Sequence, residues 1–223
     1  MVECVYMEIT YLGHSAFKIK TKTASVITDP FDPKITGIKF AGIEGEIVTL
    51  SHDHPDHNAS DKVIGVKKIV DGPGEYEIMG VSMIGYSSFH DTNNGADRGK
   101  NTIYVYEFEG LRLAHLGDLG HELSDDLVSE LGDIDVLMIP VGGEYTIGPK
   151  EASQIVSKIE PFFVIPMHYA MPGLAPDLAG KLAPLETFLK ESGLPHESMS
   201  KFVLKKEDIS DELRTKIIVL EKK

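Results

Sequence analysis

Residues 51–58 read Ser-His-Asp-His-Pro-Asp-His-Asn, a segment dense in side chains that can bind metal. Four potential metal ligands fall within six positions of it: His52, His54, Asp56 and His57. The segment 48–51 predicts the end of a buried strand, along which His52 and His54 would share one side. Pro55 stops such a strand, so Asp56 and His57 should point elsewhere. The stretch therefore predicts one pair of ligands for each of two neighbouring metal ions.

The composition of the 223-residue chain is that of an ordinary globular protein, and we expect residues 1–223 to form a single domain. A net charge of −13 argues against a surface that holds nucleic acid or anionic lipid. No apolar run has the length of a membrane span. A lone cysteine, Cys4, allows no disulfide within the chain and fits a reducing compartment. We therefore expect a cytoplasmic protein whose partner is a small molecule, and a homo-oligomer remains open.

The pattern along the chain predicts strands interspersed with helices. Short runs rich in apolar residues predict the strands, including a hairpin with its turn at Glu109-Gly110 and a fully buried strand at Val136 to Pro140. Ser124 is the expected cap of a helix that ends near Leu131. Further helices are predicted at Pro149 to Ile159, at Ala183 to Glu191 and at Ala59 to Lys67, the last with Asp56 and His57 in its first turn.

Three more potential ligands each follow a run that reads as a strand: His90, Asp118 and His168. Because strand ends at one edge of a sheet lie close together, residues far apart in the sequence can meet there. Taken singly, each would be about as well explained by capping or packing. Together with the first four they make seven ligands, which is enough for two metal ions that share one carboxylate.

The chain resembles the metallo-β-lactamase-fold hydrolase superfamily. The segment 52–57 matches its signature His-x-His-x-Asp-His, and His90, Gly117-Asp118 and His168 match its later motifs in order. Four more selective motifs are similar to the branch related to L-ascorbate-6-phosphate lactonase: 12–15, 28–30, 140–146 and 166–169. The resemblance implies an α/β (α+β) fold, namely a four-layer αββα sandwich of two mixed sheets with helices on the outer faces.

The resemblance also implies a ligand set. It assigns His52, His54 and His90 to one metal and Asp56, His57 and His168 to the other, with Asp118 bridging them. It further implies two divalent ions, for which zinc is the first expectation and manganese or iron also fit. A hydroxide held between the ions would be the nucleophile. Asp118 and His14 are the expected catalytic residues, and for His14 proton transfer, substrate contact and a structural role stay open.

Other polar residues near these motifs are weaker candidates. Arg98 and Lys100 are the positive residues of a polar loop and could hold an anionic substrate. Tyr145, Thr146 and Tyr169 stand beside family motifs and could line the pocket or serve packing. Asp29 is the expected acceptor for a ligand histidine. His115 is expected in the core and His196 at the surface, while the role of His121 stays undecided.

Three functions are consistent with this pattern. The first is a metal-dependent hydrolase that cleaves a small ester or lactone, with or without a phosphate group. The second is a two-metal phosphodiesterase acting on nucleotides or nucleic acid, because the same centre serves both reactions. The acidic charge disfavours long nucleic acids. The third is a non-catalytic, metal-binding regulatory protein. Such a protein would be expected to have lost some of the metal ligands.

Overall fold

The fold is built on two mixed β-sheets whose inner faces share an apolar core. The computed structural model describes residues 6–210 and 212–223, so Cys4 lies outside the described residues. The strands are β1 (Met7–Gly13), β2 (Ala16–Lys20), β3 (Ser25–Thr28), β4 (Ile43–Glu44), β5 (Ile47–Thr49), β6 (Val63–Ile64), β7 (Lys68–Val70), β8 (Gly74–Ile78), β9 (Val81–Phe89), β10 (Lys100–Phe108), β11 (Leu111–His115), β12 (Val136–Pro140), β13 (Phe163–Met167), β14 (His196–Met199), β15 (Phe202–Leu204) and β16 (Lys216–Leu220). The α-helices are α1 (Pro33–Thr36), α2 (Asp125–Leu131), α3 (Pro149–Ile159), α4 (Pro176–Ala179) and α5 (Leu185–Ser192).

Strand direction is what brings the ends of separate strands to one edge. Within the described residues the first sheet has the order β15-β1-β2-β3-β5-β7, and the second has the order β14-β16-β13-β12-β11-β10-β9-β8. Strands β1, β3 and β5 point the same way, because β2 is antiparallel to β1 and β3 while β5 is parallel to β3. Strands β9, β11 and β13 also share one direction. The carboxyl-terminal ends of β1, β3 and β5 therefore lie at one edge of the first sheet, and those of β9, β11 and β13 lie at one edge of the second.

Alternating side chains bury both faces of the first sheet. Val26 and Ile47 point into the core between the sheets, whereas their neighbours Ile27 and Val48 belong to a second apolar cluster on the outer face. A period of two is what an extended strand imposes. The Thr49 and Tyr106 hydroxyl oxygens lie 2.6 Å apart and link the two sheets across the core. The first sheet is thus an inner layer that needs cover on its outer side.

The helices form the outer layers, and the two layers are unequal. Helix α2 begins as predicted, with the Ser124 side chain accepting a hydrogen bond from the Leu127 amide. Helix α3 has the predicted bounds and packs on α5 and β12. The outer face of the first sheet is covered mainly by loops and by the single turns α1 and α4. None of the helices among the described residues is long and apolar enough to span a bilayer.

Two predictions around the histidine stretch are wrong. The predicted helix Ala59 to Lys67 is only a 3₁₀ turn at Ser60–Lys62, after which β6 pairs with β4. The predicted extended strand through His54 is also wrong, because β5 ends at Thr49 and bends and turns follow. The Ser51 amide donates to the Asp29 carboxylate instead of to a neighbouring strand. Tertiary partners therefore override the local pattern in this segment.

Candidate metal centre

The candidate site lies where the strand ends of the two sheets meet. From the first sheet, β1 leads to His14, β3 to Asp29 and β5 to the loop 50–58. From the second sheet, β9 leads to His90, β11 to Asp118 and β13 to His168. Most of these side chains are buried, His14 and His57 completely so. The fold therefore brings all seven predicted ligands to one place.

The first ligand group consists of His52, His54 and His90. A nitrogen from each ring lies within 4.8 Å of the nitrogens of the other two. His52 and His90 are buried, and His54 is half-buried. The His52 Nδ1 atom lies 2.9 Å from the Ser51 hydroxyl oxygen, which fixes the orientation of the ring. The group matches the set that the resemblance implied for one metal.

The second ligand group consists of Asp56, His57 and His168, and His14 joins it. One ligand atom from each of the four lies within 4.8 Å of the others. The His14 Nε2 atom is 3.2 Å from an Asp56 carboxylate oxygen, and the His14 ring centroid is 4.3 Å from that of His168. The first three match the set implied for the other metal. His14 is close enough to act as a further ligand or to hold Asp56.

Asp118 lies between the two groups. Its Oδ2 atom is 3.2 Å from Nε2 of both His57 and His168, and 3.4 Å from Nε2 of His90. The Asp118 amide donates to the Asn101 side-chain oxygen, and the Asn101 side-chain nitrogen donates to the Leu116 carbonyl. These contacts hold the carboxylate where both groups can reach it.

The buried Asp29 carboxylate holds the loop 50–58 in place through hydrogen bonds. The Asp29 Oδ2 atom lies 3.0 Å from the His57 Nδ1 atom and accepts a hydrogen bond of 2.6 Å from the Ser51 hydroxyl. Such a contact selects the tautomer that leaves Nε2 of His57 facing the site. The expected role of Asp29 as acceptor for a ligand histidine agrees with this geometry.

Burial and neighbouring charges divide the titrating groups into two kinds. Burial lowers the pKa of His52 to about 3, with the nearby His57 charge adding to the effect, and burial likewise lowers the pKa of His14 to about 4. Burial also acts to lower the pKa of His57, but Asp118 and Asp56 outweigh it and raise that pKa well above its usual range. His168 and His57 hold the pKa of Asp118 well below its usual range, against the effect of burial. Without metal, the second group therefore carries an ion-paired imidazolium at His57, whereas His52 of the first group is neutral near pH 7.

Several buried polar atoms at the site have no hydrogen-bond partner among the described residues. They include Nε2 of His52, Nε2 of His57 and Oδ1 of Asp118. Buried polar atoms are nearly always paired in folded proteins, so three such atoms in one place indicate a missing ligand. Imidazole nitrogen and carboxylate oxygen are the donors that zinc, manganese and iron accept. The residues present thus fit divalent metal ions.

Comparison with known proteins agrees with this arrangement. The family model described as the Beta-lactamase superfamily domain matches residues 8–168. A crystal structure of a metallo-β-lactamase superfamily protein from Thermotoga maritima is 35% identical, with a TM-score of 0.74, and covers 96% of this chain and 100% of its own. This chain belongs to the metallo-β-lactamase superfamily. The expected fold is thereby confirmed.

Two curated relatives define the family more narrowly. A UPF0173 metal-dependent hydrolase from Staphylothermus marinus is 33% identical over 192 residues, which cover 72% of this chain and 82% of the relative. Another from Thermococcus onnurineus is 29% identical over 202 residues, with coverage of 77% and 88%. The chain belongs to this UPF0173 family within the metallo-β-lactamase superfamily.

The ligand strands of this metallo-β-lactamase fold end in sharp turns. His14, Asp29 and His168 have φ angles of 56°, 39° and 53°, which side chains other than glycine rarely adopt. Gly142 lies against the His168 carbonyl oxygen so closely that a Cβ atom there would overlap it. Strain of this kind persists only where the surrounding structure enforces it, and it concentrates at functional sites.

The weaker candidates are distributed unevenly. The Arg98 guanidinium lies 5.6 Å from the centroid of the Tyr145 ring, whereas Lys100 begins β10 and is exposed. The Thr146 hydroxyl donates to the Ile147 carbonyl. Tyr169 lies in the core, and its hydroxyl interacts with Tyr11, which favours packing over substrate contact.

The remaining histidines lie outside the two ligand groups. His115 is fully buried, as expected, with Nε2 2.9 Å from the Ser15 carbonyl oxygen and Nδ1 accepting from the Gly117 amide. His121 accepts the Phe89 amide through Nε2, which holds it beside the strand that leads to His90. His196 is exposed, also as expected.

The sequence reasoning missed two kinds of residue. Ser51 and Asn101 support the candidate ligands through hydrogen bonds, and an asparagine at the start of an apolar strand could have signalled such a role. Lys181 lies 5.4 Å from the Tyr145 ring centroid, and no motif in its segment indicated this position.

Proposed function

We propose that this superfamily member binds two divalent metal ions and hydrolyses a small ester or lactone, with or without a phosphate group. The observation that carries the proposal is the position of Asp118 between two ligand groups whose buried ligand atoms lack partners. The resemblance to the lactonase branch supports an ester or lactone as substrate. Two metals, zinc first among them, and a small-molecule substrate all belong to the proposal.

The chain's own residues would hold and orient the reacting groups. His52, His54 and His90 would hold one ion, and Asp56, His57 and His168 the other, with Asp118 shared. When bound, such ions make hydroxide available at neutral pH and polarise the oxygen of the bond that is cleaved. Burial of the site strengthens every charge interaction within it, since water is largely excluded.

His14 is better explained as a positioning residue than as a proton carrier. Burial lowers its pKa to about 4, so the ring is neutral near pH 7. With Nε2 donating to Asp56, only Nδ1 is left as an acceptor, and Nδ1 has no partner among the described residues. His14 would therefore fix the orientation of the Asp56 carboxylate.

The test is metal analysis combined with a substrate panel. We expect purified protein to hold two metal ions per chain and to cleave p-nitrophenyl butyrate or a γ-lactone. Asp118→Asn should lower kcat/KM by at least about 100-fold while the circular dichroism spectrum is kept, because both ligand groups lose their shared carboxylate. Asp126→Asn, at an exposed position of α2, is the matched control.

The two alternatives give different results in the same panel. A phosphodiesterase would cleave bis-p-nitrophenyl phosphate and leave the esters and lactones intact. A non-catalytic metal-binding protein would be fully loaded and inert to every substrate. Either outcome would contradict the proposed ester or lactone hydrolysis.

A further inference from the structure

Two cations from different loops lie beside one aromatic ring. The Arg98 guanidinium carbon is 5.6 Å, and the Lys181 ammonium nitrogen 5.4 Å, from the centroid of Tyr145. Tyr145 is half-buried, and both cations are exposed. The Tyr145 hydroxyl interacts with the Lys181 ammonium and is the main cause of that group's raised pKa, so Lys181 is charged at neutral pH. In a chain of net charge −13 this is a local concentration of positive charge.

Two of the three loops that meet at Tyr145 start at candidate metal ligands, and the third is hydrogen-bonded to a segment that follows one. The loop that carries Arg98 follows His90, and the segment that carries Lys181 follows His168. The loop of Tyr145 is tied to the residue after Asp118 by a hydrogen bond of 2.9 Å from the Ile147 amide to the Leu119 carbonyl. It is tied to the segment of Lys181 by the bond from the Ala183 amide to the Gly142 carbonyl, 2.7 Å long. The cluster is therefore anchored to the same segments that carry Asp118 and His168.

The loop that carries Arg98 is preorganised around the Asp91 carboxylate. The buried Asp91 side chain accepts backbone hydrogen bonds from Asn93, Gly95, Asp97 and Arg98 at 2.7 to 3.0 Å. These four hydrogen bonds hold the loop in one conformation around the Asp91 side chain, so the position of Arg98 does not depend on a bound ligand.

Neither cation forms a salt bridge within the part of the chain that the structure describes. The nearest acidic influences on Lys181 are Glu144 and Asp177, which act at longer range and help to raise its pKa. Both cations therefore keep hydrogen-bond donors available for a ligand. Guanidinium and ammonium groups form charge-assisted hydrogen bonds with carboxylate and phosphate oxygens, and the tyrosine hydroxyl can add another donor.

We propose that Arg98, Lys181 and Tyr145 form an anion-binding subsite that holds a carboxylate or phosphate group of the substrate while its ester or lactone bond lies at the metal centre. As a substrate preference, this rests on the proposed hydrolase function. The subsite selects substrates in which the anionic group and the cleaved bond are separated by a short chain. A neutral ester of the same length leaves both cations without a partner.

A matched pair of esters tests the subsite. The metal-loaded protein is assayed with mono-p-nitrophenyl succinate, which carries a free carboxylate, and with p-nitrophenyl butyrate, which is neutral and has the same acyl length. The measured quantity is the ratio of kcat/KM for the anionic ester to kcat/KM for the neutral ester. We expect Arg98→Gln combined with Lys181→Met to lower this ratio by about tenfold or more, because charge-assisted contacts are lost.

Two further variants sharpen the result. Glu144→Gln should raise the ratio, because it removes a carboxylate that competes with the substrate anion. Lys190→Met removes one positive charge from the exposed side of α5 and should leave the ratio unchanged. An equal loss for both esters in the double variant would show that the cations only hold the loops together, and would overturn the proposal.

A binding measurement separates this proposal from the hydrolase function. Calorimetric titration of the metal-loaded protein with inorganic phosphate and with succinate compares the wild type with the double variant. If neither ester is cleaved, a roughly tenfold weaker binding of either anion in the double variant still supports the subsite. If the protein binds phosphate more tightly than succinate, the preferred substrate is a phosphorylated one. If the esters are cleaved with an unchanged ratio, or if they are not cleaved and anion binding is unchanged, the subsite is disproved.

Discussion

The two ligand groups of the candidate centre differ in charge and in backbone conformation. The first, His52, His54 and His90, consists of three imidazoles, and burial lowers the pKa of both His52 and His90. The second contains a carboxylate, and its His57 lies between Asp118 and Asp29. Positive φ angles occur at His14 and His168 of the second group and at none of the first. The fold therefore constrains the second ligand group more than the first.

This difference implies that the two positions respond differently to the same perturbation. Metal at the first group displaces no proton from His52 at neutral pH, whereas metal at the second must displace the proton that His57 carries. The second group also depends on Asp29, which contacts His57 directly but reaches His52 of the first group through the Ser51 hydroxyl. Three experiments test this difference between the two groups.

The largest expected effect on metal affinity follows removal of the Asp29 carboxylate, which contacts His57. Asp29→Asn replaces an acceptor oxygen by an amide nitrogen facing the His57 ring, so the tautomer that presents Nε2 is no longer favoured. We expect zinc affinity at the second group to fall by about 10- to 100-fold, with a smaller change at the first. Competition with a chromophoric chelator measures the two affinities. Asp53→Asn, at an exposed position of the same loop, is the control, and an equal fall at both positions would refute the asymmetry.

The pH dependence of metal binding should separate the groups next. The pKa of His57 is raised well above its usual range, so below that pKa a proton must leave before metal binds. Affinity at the second group should therefore fall about tenfold for each pH unit lowered, and level off above the pKa. His52, with a pKa of about 3, is already deprotonated and adds no such slope. Metal affinity is measured at several pH values between about 6 and 8. The logarithm of the affinity should change steeply with pH at the second group and only slightly at the first. Equal slopes at the two groups would contradict this expectation.

The smallest effect concerns the strained backbone. His14 has a φ of 56°, a conformation that asparagine tolerates better than alanine. We expect metal-free His14→Asn to be more stable than His14→Ala by about 1 kcal/mol in urea unfolding. The same pair of substitutions at His52, where φ is not positive, should differ less. A similar difference at both positions would mean that strain is not the cause.

Sequence patterns predicted the helices and strands that have a clear signal in their own residues. Strand β12 is wholly apolar and helix α3 begins at a proline, and both were predicted with the bounds observed. Strands β4 and β6 escaped prediction because each has two residues and exists only through pairing with the other. Strand β14 is largely exposed, so it carries no apolar signal. Pairing between distant segments is the information that a local pattern lacks.

The candidate site shows the same division. The predicted ligands come together because ligand-type residues follow strands, and strand direction fixes where strands end. Ser51, Asn101 and Lys181 were not predicted, because their roles depend on neighbours that only the folded chain supplies. The contact of His14 with Asp56 was not predicted either, because it depends on the turn that follows β1 in the folded chain.

The spacing of the strand ends along the chain has a consequence for biosynthesis. The first group is complete in sequence once residue 90 has been made, whereas the second waits for residue 168. Until residue 118 has been made, the nascent chain holds the three histidines of the first group without the shared carboxylate. If metal binds during synthesis, the first group can therefore be occupied before the second.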